Sequence, residues 1–360
     1  MRISLTRNNR GLKENTAVPS GVITLSSYPW HRLVLALCTA LAFGVLAASL
    51  GAVQIPPLTV PKIVLSKLPF VHMAHTWPDS WDTIVWNLRL PRVVLAGIVG
   101  ASLSMSGATY QGLFRNPLAD PYLIGAAGGA GLGAVLVLVS GVSSQFLPIA
   151  AFAGSIIAVV AAYLVARKSG AVPLTTLVLA GIAISSLTAA VTSLLLIRSN
   201  PDVKPVLGWL LGGFAGAQWH QILLIAPYIA AGLAVILAYG RILNLFQTSE
   251  EEAGYLGVNV GRAKLIIICA ASLVTAAVVS VSGLIGFVGL IVPHAIRLMW
   301  GPDHRFLLPM TLVVGASFLI LADLAARLLV SPGELPVGVV TAICGTPFLL
   351  YLLRSRRASL

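Results

Sequence analysis

Ten apolar stretches, most of them about 20 residues long, follow one another between residues 33 and 353 and limit this fold more sharply than any other feature. Their approximate spans are 33–53, 90–114, 121–140, 147–166, 174–197, 219–239, 264–283, 285–299, 306–330 and 335–353. At ~1.5 Å per residue, about 20 helical residues cover the roughly 30 Å of a bilayer's hydrocarbon. Backbone amides in hydrocarbon must bond within their own segment, so each stretch is expected to be helical. The eighth is short for a full crossing and reads as tilted or partly inserted.

Composition agrees. Of 360 residues 58% are hydrophobic and 9% charged, against about 25% charged in soluble domains. So few ionic groups cannot cover a water-exposed surface. The chain therefore reads as an all-α polytopic membrane protein. Its first stretch, Leu33 to Val53, outruns the ~7–15 residues of a signal-peptide core and is expected to be a retained helix.

Topology follows from the 23 lysines and arginines. With the N-terminus inside, sixteen of them fall on one face and seven on the other, so both termini are expected to be cytoplasmic. The surplus of positive charge is read as a topology signal that also meets anionic lipid. Nucleic-acid binding is not expected, because the basic residues do not alternate with exposed aromatics. The chain divides into a polar cytoplasmic tail (1–32), a ten-helix domain (33–353) and a basic tail (354–360). Within the domain lie an outer loop (54–89) and a cytoplasmic loop (240–263). Residues 198–218 read as carrying a short helix at the outer surface.

Reactive chemistry is scarce. No zinc-protease, nucleophile-elbow or phosphate-loop motif occurs, so neither a catalytic residue nor a bound cofactor is expected. His72 and His75, three apart, have the spacing to share a ligand but read more simply as solvated; no metal site is expected. Cys38, Cys269 and Cys344 read as small buried hydrophobes. Asp323 and Arg327, at i and i+4, are spaced to pair on one helix face or to leave Arg327 a role at the outer surface. An ion-coupled carrier usually needs acids near the midplane, and a channel a filter or charged constriction. A large helical body without either implies power drawn from another subunit. A secondary transporter acting without an ATPase is the alternative.

Several long motifs carry a family resemblance. They are "RLPRVVLAGIVGASLSMSGATYQGLFRNPLADPYLIGAAGGAGLGA" (89–134), "GLIGFVGLIVPHAIRL" (283–298), "GPDHRFLLP" (301–309) and "ADLAARLLVSPGELPVGVVTAICGTPFLLYLL" (322–353). Together they resemble the permease subunit of bacterial ATP-binding-cassette importers for iron–siderophore complexes, haem and cobalamin. The resemblance runs from about residue 33 to the C-terminus.

It implies a type II importer permease of ten helices in the bacterial cytoplasmic membrane. A second copy would complete a homodimer with the cargo path along its interface. Two cytoplasmic ATPase subunits would use ATP and magnesium, and a soluble extracytoplasmic protein would deliver the cargo. Ferric siderophore, the commonest cargo of the family, is the first expectation, with haem and cobalamin open.

The resemblance also assigns residues. The acidic cluster Glu250, Glu251 and Glu252, with Ala253, Leu256 and Gly257, matches the segment that couples to the ATPase. Acids early in a short helix also suit its positive N-terminal dipole. Arg89, Arg92 and Arg327 match the positions that dock the binding protein through its carboxylates, a task suited to the planar guanidinium. Asn116, Leu118, Leu174 and Thr175 match the cytoplasmic gates. The "LTT" of 174–176 is less polar than the gate usual in cobalamin members, and Leu284 also departs from the common pattern.

Overall fold

The computed structural model describes residues 29–68, 71, 74–168, 172–199, 203–330 and 333–357. Ten long helices carry the fold. They are α1 (Trp30–Ser49), α2 (Leu90–Phe114), α3 (Ala126–Ser140), α4 (Leu147–Ala166), α5 (Leu174–Ser199), α6 (Trp219–Ala238), α7 (Val260–Ser282), α8 (Val288–Trp300), α9 (His304–Leu328) and α10 (Val337–Arg357). Seven helices are long and apolar enough to cross a membrane; α3, α8 and the apolar part of α10 are shorter. Short helices at Thr59–Ser66 and Val203–Leu210 fall in segments expected to lie outside, and Gly240–Thr248 and Glu250–Tyr255 in the segment expected to be cytoplasmic.

Two groups of helices share α7. One contains α3, α4 and α5 packed on one another; in the other α2 packs against α8 and α9, and α1 against α9. Helix α7 touches α2, α4 and α6 and joins the groups. Accordingly α2 and α7 are largely buried, whereas α1 and α5 turn most side chains outward. Small residues permit this density. At Gly107 and Gly289 the backbones of α2 and α8 meet directly, and a β-carbon on Gly107 would collide with the Gly289 carbonyl.

Two stretches expected to be helical are not. Residues 121–125 belong to an irregular lead into α3, and residues 283–287 form an extended lead into α8. The 13 residues of α8 rise only ~20 Å. Gly283 (φ 68°) and Phe287 (φ 69°) turn this lead, and a glycine at the first position removes the β-carbon conflict of the left-handed region. Irregular backbone at membrane depth survives where protein satisfies it. Here the Tyr122 hydroxyl donates to the Ile285 carbonyl at 3.1 Å and accepts the Ile285 amide at 3.3 Å. The two leads meet at this contact.

The cysteines also differ from expectation. Cys38, Cys269 and Cys344 all lie on outward faces of the chain, where a small apolar thiol meets lipid as readily as a core.

Candidate functional site

At the outer face, Arg89, Arg92 and Arg327 converge on α1 and α9. A π-helical stretch, Ile84–Arg89, leads into α2 and delivers Arg89 inward, where it is 8% exposed. Its Nη1 donates to the carbonyls of Ala48 (2.8 Å) and Ser49 (2.7 Å), and its Nη2 to that of Val53. Arg327 donates to the carbonyls of Ala47 (2.9 Å) and Leu50 (3.3 Å). A helix C-terminus leaves its last four carbonyls unpaired and carries partial negative charge. Two guanidinium groups therefore cap α1.

Arg92 holds Asp323 through Nε (3.0 Å) and Nη2 (2.8 Å) and grips both oxygens of Glu334 through Nη1 at 3.0 and 2.9 Å. Asp323 also pairs with Arg327 at 3.2 Å, the i, i+4 arrangement its spacing allows. All three arginines are thus engaged within the chain rather than standing free on the surface. Glu334, which matches no assigned position, completes the cluster. His75 lies 3.6 Å from Asp79 and 3.8 Å from Asp82; His72 lies outside the described residues. Among the described residues no three potential ligands are grouped to hold a metal.

At the cytoplasmic face the glutamates open the helix Glu250–Tyr255. The Ser249 hydroxyl caps it by accepting the Glu252 amide at 2.9 Å, the arrangement that satisfies an orphan donor. Gly257 (φ 84°) ends it, with the Val258 amide returning to the Ala253 carbonyl at 3.0 Å. Asn259 then caps α7. Ala253 is fully buried within the chain, so it anchors this helix instead of meeting a partner. The outward surface consists of Glu251, Glu252, Gly254, Tyr255, Leu256 and Gly257. Tyr255, 89% exposed, was missed in the sequence, although its place beside Leu256 in "GYLG" marks it.

Glu250 turns inward. Its carboxylate accepts from Lys264 Nζ and lies 3.8 Å from Arg115 Nη2. Arg115 immediately precedes Asn116. A cavity of about 310 Å³ beside Glu250 is lined by Val172, Pro173, Lys264 and Ile268, which brings the residues before Leu174 to the same place. Glu250 therefore pairs with Arg115, which leads into 116–118, and borders the cavity that Val172 and Pro173 line ahead of Leu174.

Within those segments, the Asn116 side chain accepts the Leu118 amide at 2.9 Å. It closes an Asx turn. Leu118 and Leu174 are half-buried and Thr175 is exposed on the first turn of α5. Further along, Asp120 accepts the Tyr122 amide at 2.8 Å, and with Tyr122 and Ser185 it lines a cavity of about 390 Å³ open towards the exposed side of α5. Gln111 donates to the Gly289 carbonyl (3.1 Å) and accepts from Arg297 (3.0 Å). The sequence signal for both Tyr122 and Gln111 is a polar side chain in an apolar run.

These features define a polytopic membrane protein: a helical body with an irregular centre, two helices, α1 and α5, that face outward, and a short helix, Glu250–Tyr255, with an exposed surface. Comparison gives the class its family. The chain belongs to the FecCD transport family, whose pattern matches residues 37–355. It is 49% identical to the cobalamin import system permease protein BtuC of Halobacterium salinarum, over 78% of this chain and 75% of that protein. It is 42% identical to the hemin transport system permease protein HmuU of Yersinia pestis, over 78% and 87%.

A solved inward-facing structure of a proposed metal-chelate-type ABC transporter superposes with a TM-score of 0.78 at 31% identity, over 90% of this chain and 99% of that one. The chain is thus a multi-pass membrane permease of an ABC importer, a transport subunit whose ATPase and binding-protein partners are separate chains.

Proposed function

We propose that two copies of this chain form the membrane channel of an importer for a bulky metal chelate in a prokaryotic cytoplasmic membrane. The exposed face of α5, with Asp120, Tyr122 and Ser185 beside it, lines the path between the copies. Tyr255 and Leu256 fit a cleft of the ATPase, and Glu251 and Glu252 face its basic side chains. The similar permeases named above serve cobalamin and haemin. A metal macrocycle therefore ranks ahead of a ferric siderophore as cargo, reversing the order suggested by sequence resemblance.

The observation that carries this reading is Glu250. It ties the coupling helix to Arg115 at the head of the 116–118 segment and borders the approach to Leu174. Motion of the ATPase-facing helix then reaches both gates without an intervening element. At the outer face, a carboxylate of the binding protein competes for Arg92 with Glu334, the half-exposed partner of the cluster. Reconstitution in liposomes with an ATPase subunit and a cargo-loaded binding protein tests the reading. Uptake should require both partners and ATP. Uptake driven by an ion gradient with neither present would overturn it in favour of a secondary transporter.

A further inference from the structure

A cavity of about 790 Å³ opens at the cytoplasmic end of the bundle, where α1 and α9 begin and α6 and α8 end. Its wall includes His31, Arg32, Arg241, Trp300, Asp303 and Arg305. The acid there is already committed. Asp303 accepts Arg305 Nη2 at 2.7 Å and Asn244 Nδ2 at 2.7 Å, and the Arg305 hydrogen bonds hold its carboxyl down to about 2. Among the described residues, neither Arg32 nor Arg241 has a carboxylate within ion-pair reach. Two uncommitted guanidinium groups therefore attract negative charge to one place, and the paired acid Asp303 does not oppose it.

The position decides what kind of anion. These residues sit at helix ends, where a membrane-spanning bundle meets the head groups. Trp300 and Leu237, the latter 42% exposed, give the same cavity an apolar side. A soluble phosphate would leave that side wet, whereas a lipid covers it with its glycerol and upper acyl chain. Basic pockets between helices on the cytoplasmic side suit such head groups. We propose that this cavity binds the phosphodiester of an anionic phospholipid from the cytoplasmic leaflet, held by Arg32 and Arg241. The lining of the site includes neither Glu250 nor any residue of α5, and the proposal is independent of which cargo is carried.

Native mass spectrometry and thermal unfolding of the full-length protein in detergent test this, using phosphatidylglycerol, phosphatidylcholine and inorganic phosphate as separate probes. Phosphatidylglycerol should bind and raise the unfolding midpoint, and Arg32→Gln with Arg241→Gln should weaken it roughly tenfold or more. Arg32→Lys with Arg241→Lys should retain most of the binding, and the lipid-free midpoint of both variants should match the parent. Equal binding of phosphatidylglycerol to the glutamine variant, or of phosphatidylcholine to the parent, would overturn the proposal. So would an equal midpoint rise with inorganic phosphate alone, which would make it a soluble-anion site. Loss of ATPase co-purification in the glutamine variant with lipid binding intact would assign the arginines to a protein partner.

Discussion

The hydroxyl of Tyr122 and the peptide of Ile285, 163 positions apart, exchange two hydrogen bonds, one in each direction. One phenol thereby serves both backbone groups of a residue that lies in extended chain between two helices. Replacing it by phenylalanine leaves an amide and a carbonyl unpaired in a partly buried setting, each worth ~1–3 kcal/mol. Tyr122→Phe is expected to lower the unfolding midpoint in detergent and to increase hydrogen exchange at residues 283–287. An unchanged exchange pattern there would show that other groups hold the lead in place.

Glycine at 107 is expected to be irreplaceable for steric reasons. Gly107→Ala drives a methyl group into the Gly289 carbonyl, and well-packed interiors resist such overpacking by typically 1–3 kcal/mol or more. Gly254→Ala is the control, because nothing lies near its side-chain position and alanine favours a helix by about 1 kcal/mol over glycine. The first variant should give little folded protein, the second as much as the parent. Equal yields would remove the backbone contact from the account.

Neutralising Arg89 or Arg327 should cost stability as well as transport. Each caps carbonyls at the end of α1, and hydrogen bonds involving a charged group contribute about 1.5–3 kcal/mol. Hydrogen exchange in residues 46–53 should rise in Arg89→Gln. Arg92→Gln, which removes the partner of Asp323 and Glu334, should spare that segment. A docking role confined to the surface would instead reduce uptake while leaving exchange near α1 unchanged.

Glu250→Lys should uncouple ATP hydrolysis from uptake, since it places a cation against Lys264 and Arg115. Combining it with Lys264→Glu restores one attraction and should recover part of the cargo moved per ATP hydrolysed. Failure of the double variant to exceed the single one, with both folded, would argue that the carboxylate acts without its lysine.

Asp303 should contribute an acid limb to stability. Its carboxyl is depressed to about 2 by Arg305 and Asn244, below the ordinary unfolded value of about 3.9. Its contribution is then complete above the unfolded value and fades as pH falls from about 4 towards 2. In Asp303→Asn the unfolding midpoint should vary less with pH across that window. A parallel decline in both proteins would place the acid sensitivity elsewhere.

How far the sequence discloses this molecule depends on the kind of force involved. Hydropathy and the distribution of lysine and arginine locate ten helical segments and their orientation, because burial in lipid acts on each segment separately. The leads at 121–125 and 283–287 escape that reasoning. Their residues are as apolar as their neighbours, and only distant groups such as the Tyr122 hydroxyl allow the backbone to leave the helix. The same holds for the arginines: their place at the outer face is legible, but the carbonyls of α1 that occupy Arg89 and Arg327 are set by packing across the bundle. Ala253 and Tyr255 sit two positions apart in a helix too short to show a period, so only the structure reveals which of them faces inward.

The bare peptide contact between Gly107 and Gly289 behaves as a fulcrum. Trp300, at the far end of α8, is eleven residues beyond Gly289, or ~16 Å along the axis. A tilt of ~10° about that point would carry Trp300 through ~3 Å, while the atoms at the pivot barely slide. Because neither Gly107 nor Gly289 carries a side chain, such a swing demands no rotamer change of that pair, although the Gln111 amide that bonds the Gly289 carbonyl must follow it. The lever's moving tip borders the arginine-lined cavity at the membrane surface, so whatever occupies that cavity weighs on the angle of the arm.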